Sequence, residues 1–468
     1  MYFSKPSYII YRDCLGFGYL TDNRNFGYDT ASKSSLKVGE RILSKTGSVF
    51  YSVLTEKPQL LTELAEQLFR LFQGTSFSEI ITDAKDFYLE LSRDGFIICS
   101  EERGEESSVR FFSYDNRTPW ELMGVIENKE ETHTEIDWGT SFHLTRIHVD
   151  ISGLCNEHCV HCYIPDEFKR QTMSKDLFFK ILEQSKSCQV LNITISGGEP
   201  MLNPNLPFFI EKCRENNFSI NVLSNLTLLT DDLVYLFEKT PLLSVQTSLY
   251  SMDADTHDSI TRVQGSFRKT KRAIEVLRNH NIPMRINCPV MKQNKESYQD
   301  VLEWARAHNI EADSDYMLFG CFDGSRKNLE CRLSIPEVES VIREQSDDNR
   351  IQSKMFEEGD EIGMICPVCS NSLCISHMGD IYPCEGWQSF ILGNVKDVLL
   401  SKIWEDSPLV KELRYLTYDD FPKCRFCMDK DYCSICLIRN ANESENHDFR
   451  DINTYFCEVA KLKRRIRD

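Results

Sequence analysis

From about Ser141 to Pro336 the chain alternates short β-branched runs with longer segments whose apolar residues recur every three or four positions. The first pattern predicts strands and the second amphipathic helices. Predicted strands are Leu144–Ile151, Val190–Ile195, Ile220–Leu223, Leu243–Leu249, Met284–Val290 and Asp315–Phe319. Helices such as Leu177–Gln184 and Pro207–Glu215 fall between them, with Pro207 expected at the first helical position, where no amide donor is missed. This alternation predicts a parallel sheet, open or closed into a barrel, with ligands at the C-terminal strand ends.

Residues 1–103 carry a different pattern. Short strands are predicted at Tyr8–Tyr11, Phe17–Thr21 and Phe26–Thr30, divided by Gly16 and Asp22-Asn23. Helices are predicted at Leu36–Ser44, Leu60–Phe72 and Ser78–Arg93, and Phe96-Ile97-Ile98 reads as a closing strand. The order suggests a winged-helix-like module. Residues 104–140 are polar and acid-rich and read as a bridge. The expected division is then 141–345 for the alternating region and 346–468 for a third unit. That unit opens with a charged helix, Ile335 to Phe356, running across the boundary.

Charge narrows the partners. The formal net charge is −18, which disfavours nucleic acid and anionic lipid. The basic run Lys461 to Arg467 reads as a solvated helix end. No apolar run approaches the roughly 20 residues of a membrane span, and no secretory h-region follows Met1. A cytoplasmic protein is expected, with neither membrane nor nucleic acid as partner.

Nineteen cysteines change the picture. Seven are scattered, at Cys14, Cys99, Cys188, Cys213, Cys288, Cys321 and Cys331, and read as small buried hydrophobes. The rest are grouped, and in a reducing compartment grouped cysteines point to metal. Cys155, Cys159 and Cys162 follow the first strand of the alternating region. Three thiolates are one short of a closed zinc site but suit an iron–sulfur cluster with one iron open.

The pattern Cys155-x3-Cys159-x2-Cys162 resembles the signature of the radical S-adenosylmethionine superfamily. The resemblance implies a 4Fe–4S cluster whose fourth iron chelates S-adenosylmethionine, and these three cysteines as its catalytic ligands. The residue before the last cysteine, usually aromatic in that family, is His161. Gly197-Gly198-Glu199-Pro200, one strand later, resembles the family element that cradles the cofactor's amino group. Ser224-Asn225, Ser248 and Arg262 stand where relatives place polar contacts to the ribose and carboxylate, though the relatives often carry arginine at the position of Thr261. His257 reads as a capping partner of its loop. The rival reading of the triad is an incomplete zinc knuckle.

Cys366 or Cys369, Gly379-x4-Cys384, Cys424-x2-Cys427-x5-Cys433-x2-Cys436 and Cys457 resemble the SPASM domain, which implies two auxiliary 4Fe–4S clusters. On that pattern Cys424, Cys427, Cys433 and Cys457 would hold the distal cluster, and Cys366, Cys384 and Cys436 the nearer one. Cys369 and Cys374 compete for its remaining position. A pair of zinc ribbons is the alternative.

The N-terminal module, with Phe17-Gly-Tyr-Leu, Phe26-Gly-Tyr-Asp and Asp94-Gly-Phe-Ile-Ile, resembles the leader-binding elements of ribosomal-peptide maturation. Such modules add a precursor leader as a strand to a sheet edge. Phe26–Thr30 and Ser78–Arg93 would line the groove, with Lys85 and Arg93 facing leader acids. Taken together, the resemblances imply a radical S-adenosylmethionine peptide maturase, with thioether formation the leading chemistry and flavodoxin or ferredoxin as reductant. A substrate cysteine would ligate an auxiliary cluster. Other crosslinks, epimerisation and formylglycine-type oxidation are alternatives within enzymes; an iron–sulfur DNA-binding regulator is the alternative outside them.

Overall fold

The structure is a computed structural model that describes residues 1–14, 17–23, 38–102, 142–240, 242–346 and 365–467. Fifteen strands are described. In the N-terminal module they are β1 (Tyr2–Ser4), β2 (Ile9–Asp13), β3 (Phe17–Asp22), β4 (Glu40–Ser44), β5 (Gln59–Leu60) and β6 (Ile98–Ser100). Next come β7 (Arg146–Ser152), β8 (Asn192–Gly197), β9 (Ser219–Leu223), β10 (Ser244–Ser248), β11 (Met284–Pro289) and β12 (Glu311–Asp315). Last are β13 (Ser372–Ile375), β14 (Asp380–Tyr382) and β15 (Gly393–Asn394).

Strands β7 to β12 lie side by side in chain order, each parallel to the next. One face is apolar: Ile147, Val149, Ile151, Ile193, Ile195, Ile220, Val222, Val245 and Ile286 are fully buried. Helices Lys175–Ser187 and Leu206–Glu215 pack there, with Phe178 stacked on Phe209 at 4.1 Å. The alternate residues, including His148, Asp150, Ser196, Asn221 and Ser248, are polar and fall on the other face, because side chains alternate with a period of two. A parallel sheet covered by helices on both faces reads as continuous apolar runs. The polar second face therefore marks the side on which the site is built.

The sheet does not stop at β7. Strand β13 joins its free edge in parallel, and β14 and β15 continue antiparallel, giving nine strands. The cysteine-rich region thus shares the main core through Leu373, Ile375, Ile381 and Trp387.

Several expectations change. The last strand of the parallel run is Glu311–Asp315, not Asp315–Phe319; as an edge strand it needs no apolar run, and all of its residues but Ala312 are polar. Pro207 stands second in its helix, after Leu206. In the module, Glu40–Ser44 is a strand paired with β3, where a helix was expected. Ser44 instead caps the helix Lys45–Ser52 by accepting from Gly47 N. The closing strand begins at Ile98, and Phe96 and Ile97 are buried ahead of it. An extra sheet, β5-β1-β6, completes the module. Phe26–Thr30 and residues 104–140 lie outside the described residues, as does the charged helix beyond Ser346.

The module is anchored to the start of the parallel sheet. Buried Arg12 donates from Nε to Val190 O (2.9 Å) and from Nη1 to Asn217 O (2.6 Å), and stacks on Phe218. Asn217 Nδ2 returns a bond to Tyr11 O, and Ile10 and Tyr19 pack on Leu191. Val190 and Asn217 precede β8 and β9, so the module sits at the opposite end of the sheet from the cysteine loop.

Candidate active site

The loop after β7 is clamped at both ends. Gly198 N donates to Ser152 O and Glu199 N to Leu154 O, each at 2.7 Å. His158 N and Val160 N donate to Thr261 O (3.0 Å) and Ile260 O (2.9 Å) at the end of helix Ala254–Thr261. Just past the second clamp, Cys162 N donates to Cys159 O at 3.1 Å, which turns the chain so that the three thiols share one loop. The glycine pair stands against the chain's own backbone at Ser152 and Leu154. A Cβ on Gly198 would stand 2.4 Å from Leu154 O, and one on Gly197 2.2 Å from Ser152 O. Gly197 also has φ +124°, a conformation that side-chain-bearing residues avoid.

Glu199 is fully buried. Its Oε1 accepts from Met201 N (2.9 Å) and Ser224 Oγ (2.7 Å), and Oε2 from Asn225 N (2.8 Å). A carboxylate has about four acceptor sites. Three are filled by these donors. Pro200 starts the short 3₁₀ turn that follows. Asn225 Nδ2 donates to Asn156 Oδ1 (3.0 Å), next to Cys155, so Glu199, Ser224 and Asn225 join the second and third strand ends to the cysteine loop.

Burial pushes the Cys155 thiol up to about 12 and raises Cys159 and Cys162. A coordinating metal deprotonates such thiols outright. Among the described residues no three His, Cys, Asp or Glu side chains are placed to hold a single ion. Three thiols on one loop, at Cys155, Cys159 and Cys162, are the donor set that an iron–sulfur cluster with one open iron would need.

Three residues beside the loop were not singled out in the sequence. Glu157 is buried, its Oε2 accepts from Cys159 Sγ (3.5 Å), and burial more than Glu199 and Asp258 pushes it up to about 7. Tyr250 brings its hydroxyl within 3.9 Å of Cys159 Sγ and packs its ring on His161 at 5.2 Å. Cys321 lies with Sγ 3.6 Å from Cys162 O, although its isolation in the sequence gave no signal. Burial lowers His161 to about 4, so it stands neutral against Tyr250. His257 accepts from Tyr250 N at Nδ1 (3.3 Å) and is likewise lowered to about 4 by burial. Ser248 ends β10 and bonds Tyr250. Arg262 is exposed, at φ 57°, just beyond Thr261; no bond ties its side chain to the loop among those described.

On the polar face beneath the loop, His148 Nε2 lies 3.1 Å from Asp150 Oδ1, and Nδ1 lies 3.1 Å from Glu385 Oε1. Asp150 Oδ2 accepts from Tyr382 and, at 3.0 Å, from Gln388 Nε2. Burial opposes charge on His148, but Glu385 and Asp150 outweigh it and push the imidazole up to about 10. This network ties the strand that feeds the cysteine loop to the C-terminal region.

The C-terminal cysteines fall into two groups. Cys424, Cys427, Cys433 and Cys457 line a cavity of about 220 Å³, with Cys436 on its wall. Burial, then its neighbouring cysteines, pushes Cys433 up to about 11. Cys384 is raised by burial, then by Glu385, Cys436 and Cys366, which marks Cys366, Cys384 and Cys436 as a second group. Cys369 borders Cys366, while Cys374 borders Cys384 and lies opposite His148 in the sheet.

Residues 149–305 match the radical SAM superfamily, and residues 366–429 match SPASM, an iron–sulfur cluster-binding domain. The chain thus carries a radical SAM domain and a SPASM domain, and these domains imply S-adenosylmethionine and 4Fe–4S clusters as cofactors. The AdoMet-dependent heme synthase of Methanosarcina barkeri is 24% identical over 62% of this chain and 90% of its own. The antilisterial bacteriocin subtilosin biosynthesis protein AlbA of Bacillus subtilis is 24% identical over 77% of this chain and 87% of its own. Among solved structures, Streptococcus suis SuiB bound to precursor peptide SuiA superposes with a TM-score of 0.57 at 15% identity, covering 97% of this chain and all of that one. Among the described residues no helix is long and apolar enough to cross a membrane.

Proposed function

We propose that this enzyme modifies a ribosomally made precursor peptide guided by a leader, and that the bond it makes is an intramolecular thioether. The observation that carries the radical chemistry is the double clamp on the cysteine loop by Gly198 and Glu199. It holds three thiols beside a buried carboxylate with one acceptor site left. Cys155, Cys159 and Cys162 would hold the cluster, and Glu199, Ser224, Asn225 and Ser248 would border the cofactor. When bound, the cluster and S-adenosylmethionine supply a 5′-deoxyadenosyl radical that removes a hydrogen atom from unactivated carbon.

The peptide reading rests on the N-terminal module and on relatives. AlbA is named for bacteriocin biosynthesis and SuiB is seen with a precursor peptide. The heme synthase match covers less of this chain than either of these. Strand β4 is one of the two outer strands of β2-β3-β4 among the described residues, and it lies against helix Phe77–Arg93 through Arg41, which pairs with Glu90 and Asp94. A leader strand would add at an edge of this sheet, where the sequence places the groove at Phe26–Thr30 and helix Ser78–Arg93. Intact-mass spectra of a precursor co-expressed with the enzyme should show a loss of roughly two mass units per bond, one hydrogen leaving carbon and one leaving sulfur. Unchanged mass with solvent deuterium on carbon would overturn the thioether in favour of epimerisation.

A further inference from the structure

Tyr250 follows the end of β10 and is held in place at several points. Its amide donates to His257 Nδ1 (3.3 Å), and its carbonyl accepts from Nδ2 of the fully buried Asn294 (2.8 Å). Its ring packs on those of His161 and His257, 5.2 Å from each. None of these partners uses the hydroxyl, which reaches Cys159 Sγ at 3.9 Å. Ser248 adjoins the same hydroxyl as a donor to the phenol oxygen, which leaves the phenol proton for the sulfur. Among the described residues the sulfurs of the triad receive two such donors, Glu157 N on Cys155 (3.4 Å) and Tyr250 on Cys159. Tyr250 is the one that a side-chain substitution can remove. The charged groups around the loop are otherwise engaged. Glu199 and Asp258 accept from their own neighbours, and Lys169, beside Cys162, pairs with Asp166 at 2.7 Å.

A cysteine bound to metal is a thiolate. It has no proton to give, so the bond that Cys159 makes as a thiol to Glu157 Oε2 (3.5 Å) loses its donor. A phenol can still donate to it. We infer that Tyr250 is a positioning residue whose hydroxyl donates to the Cys159 thiolate and thereby raises the reduction potential of the cluster that the triad would hold. The inference rests on the reading of Cys155, Cys159 and Cys162 as an iron–sulfur site. Hydrogen bonds to cluster sulfurs are one of the levers that set such a potential. One electron, taken from a low-potential reductant, adds negative charge at the site, and a donor aimed at a thiolate stabilises that charge. The reduced form gains more from it than the oxidised form does. Burial strengthens the bond, because the surrounding dielectric is low. Fixed placement at amide, carbonyl and ring means that the hydroxyl needs little reordering when the charge arrives.

Tyr250→Phe removes one oxygen and keeps the ring on His161 and His257, so it separates the hydrogen bond from the packing. The test is a redox titration of the anaerobically reconstituted full-length enzyme, followed by electron paramagnetic resonance. The signal to follow is the one that changes when S-adenosylmethionine is added, the mark of a cluster with an open iron. Tyr250→Phe should shift the equilibrium about 10-fold against reduction, a midpoint lower by about 59 mV for a one-electron couple. Iron content and far-ultraviolet circular dichroism should match the wild type. Tyr250→Leu, which removes the ring as well, is the second variant. An unchanged or raised midpoint in Tyr250→Phe, loss of iron from it, or a shift confined to Tyr250→Leu would assign Tyr250 to packing alone and overturn the inference. A wild type with no signal that responds to S-adenosylmethionine would overturn the cluster reading instead, so the two failures are told apart.

Discussion

Glu199 N donates to Leu154 O at 2.7 Å, one residue ahead of Cys155, so the glycine-rich loop after the second parallel strand holds the cysteine loop after the first. Gly198, beside it, leaves no room for a Cβ. Gly198→Ala should therefore push Leu154 and the cysteines aside. Misplacement on the order of 1 Å can cost about 100-fold in rate. We expect 5′-deoxyadenosine formation to fall by that order, with iron content reduced, while the far-ultraviolet circular dichroism stays unchanged. Retention of full iron and rate would show that the loop tolerates the shift.

Arg12 is a buried tie between the N-terminal module and the sheet. Arg12→Ala removes donors from Val190 O and Asn217 O and the stack on Phe218. Buried groups stripped of their partners cost about 2–4 kcal/mol in sum. Limited proteolysis should release the module faster from the variant than from the wild type, and chemical denaturation should separate into two transitions.

Much of this organisation was readable in the residues. The parallel strands from Leu144 to Val290 announced themselves because each is a β-branched run buried on one face. The final strand escaped because Glu311–Asp315 lies at an edge and carries polar residues. Glu40–Ser44 read as the start of a helix because the helical pattern that follows it is continuous; only the ladder with β3 and the Ser44 cap divide the two. The cysteine triad and glycine pair were legible as motifs. Tyr250, Glu157 and the His148–Asp150–Tyr382 network were not, since each gains its meaning from neighbours distant in sequence.

His257 gives the site a pH signature. Its folded-state value is about 4, against an ordinary 6.5, because burial disfavours the imidazolium. The unfolded chain thus binds the extra proton in this window. The stabilisation is complete above about pH 6.5 and is lost as pH falls toward 4. His257→Asn keeps an acceptor for Tyr250 N but removes the titration. Urea denaturation of the apoprotein between pH 7 and pH 4 should show a shallower loss of stability in the variant.

The central claim is that Cys155, Cys159 and Cys162 make this protein a source of the 5′-deoxyadenosyl radical. The direct measurement is 5′-deoxyadenosine released from S-adenosylmethionine by the anaerobically reconstituted, chemically reduced enzyme, beside a variant with all three cysteines changed to Ala. The account predicts release by the wild type and none by the variant, with the C-terminal cysteines still loaded with iron. Release undiminished in the variant, or none from a wild type that carries its full iron, would contradict it.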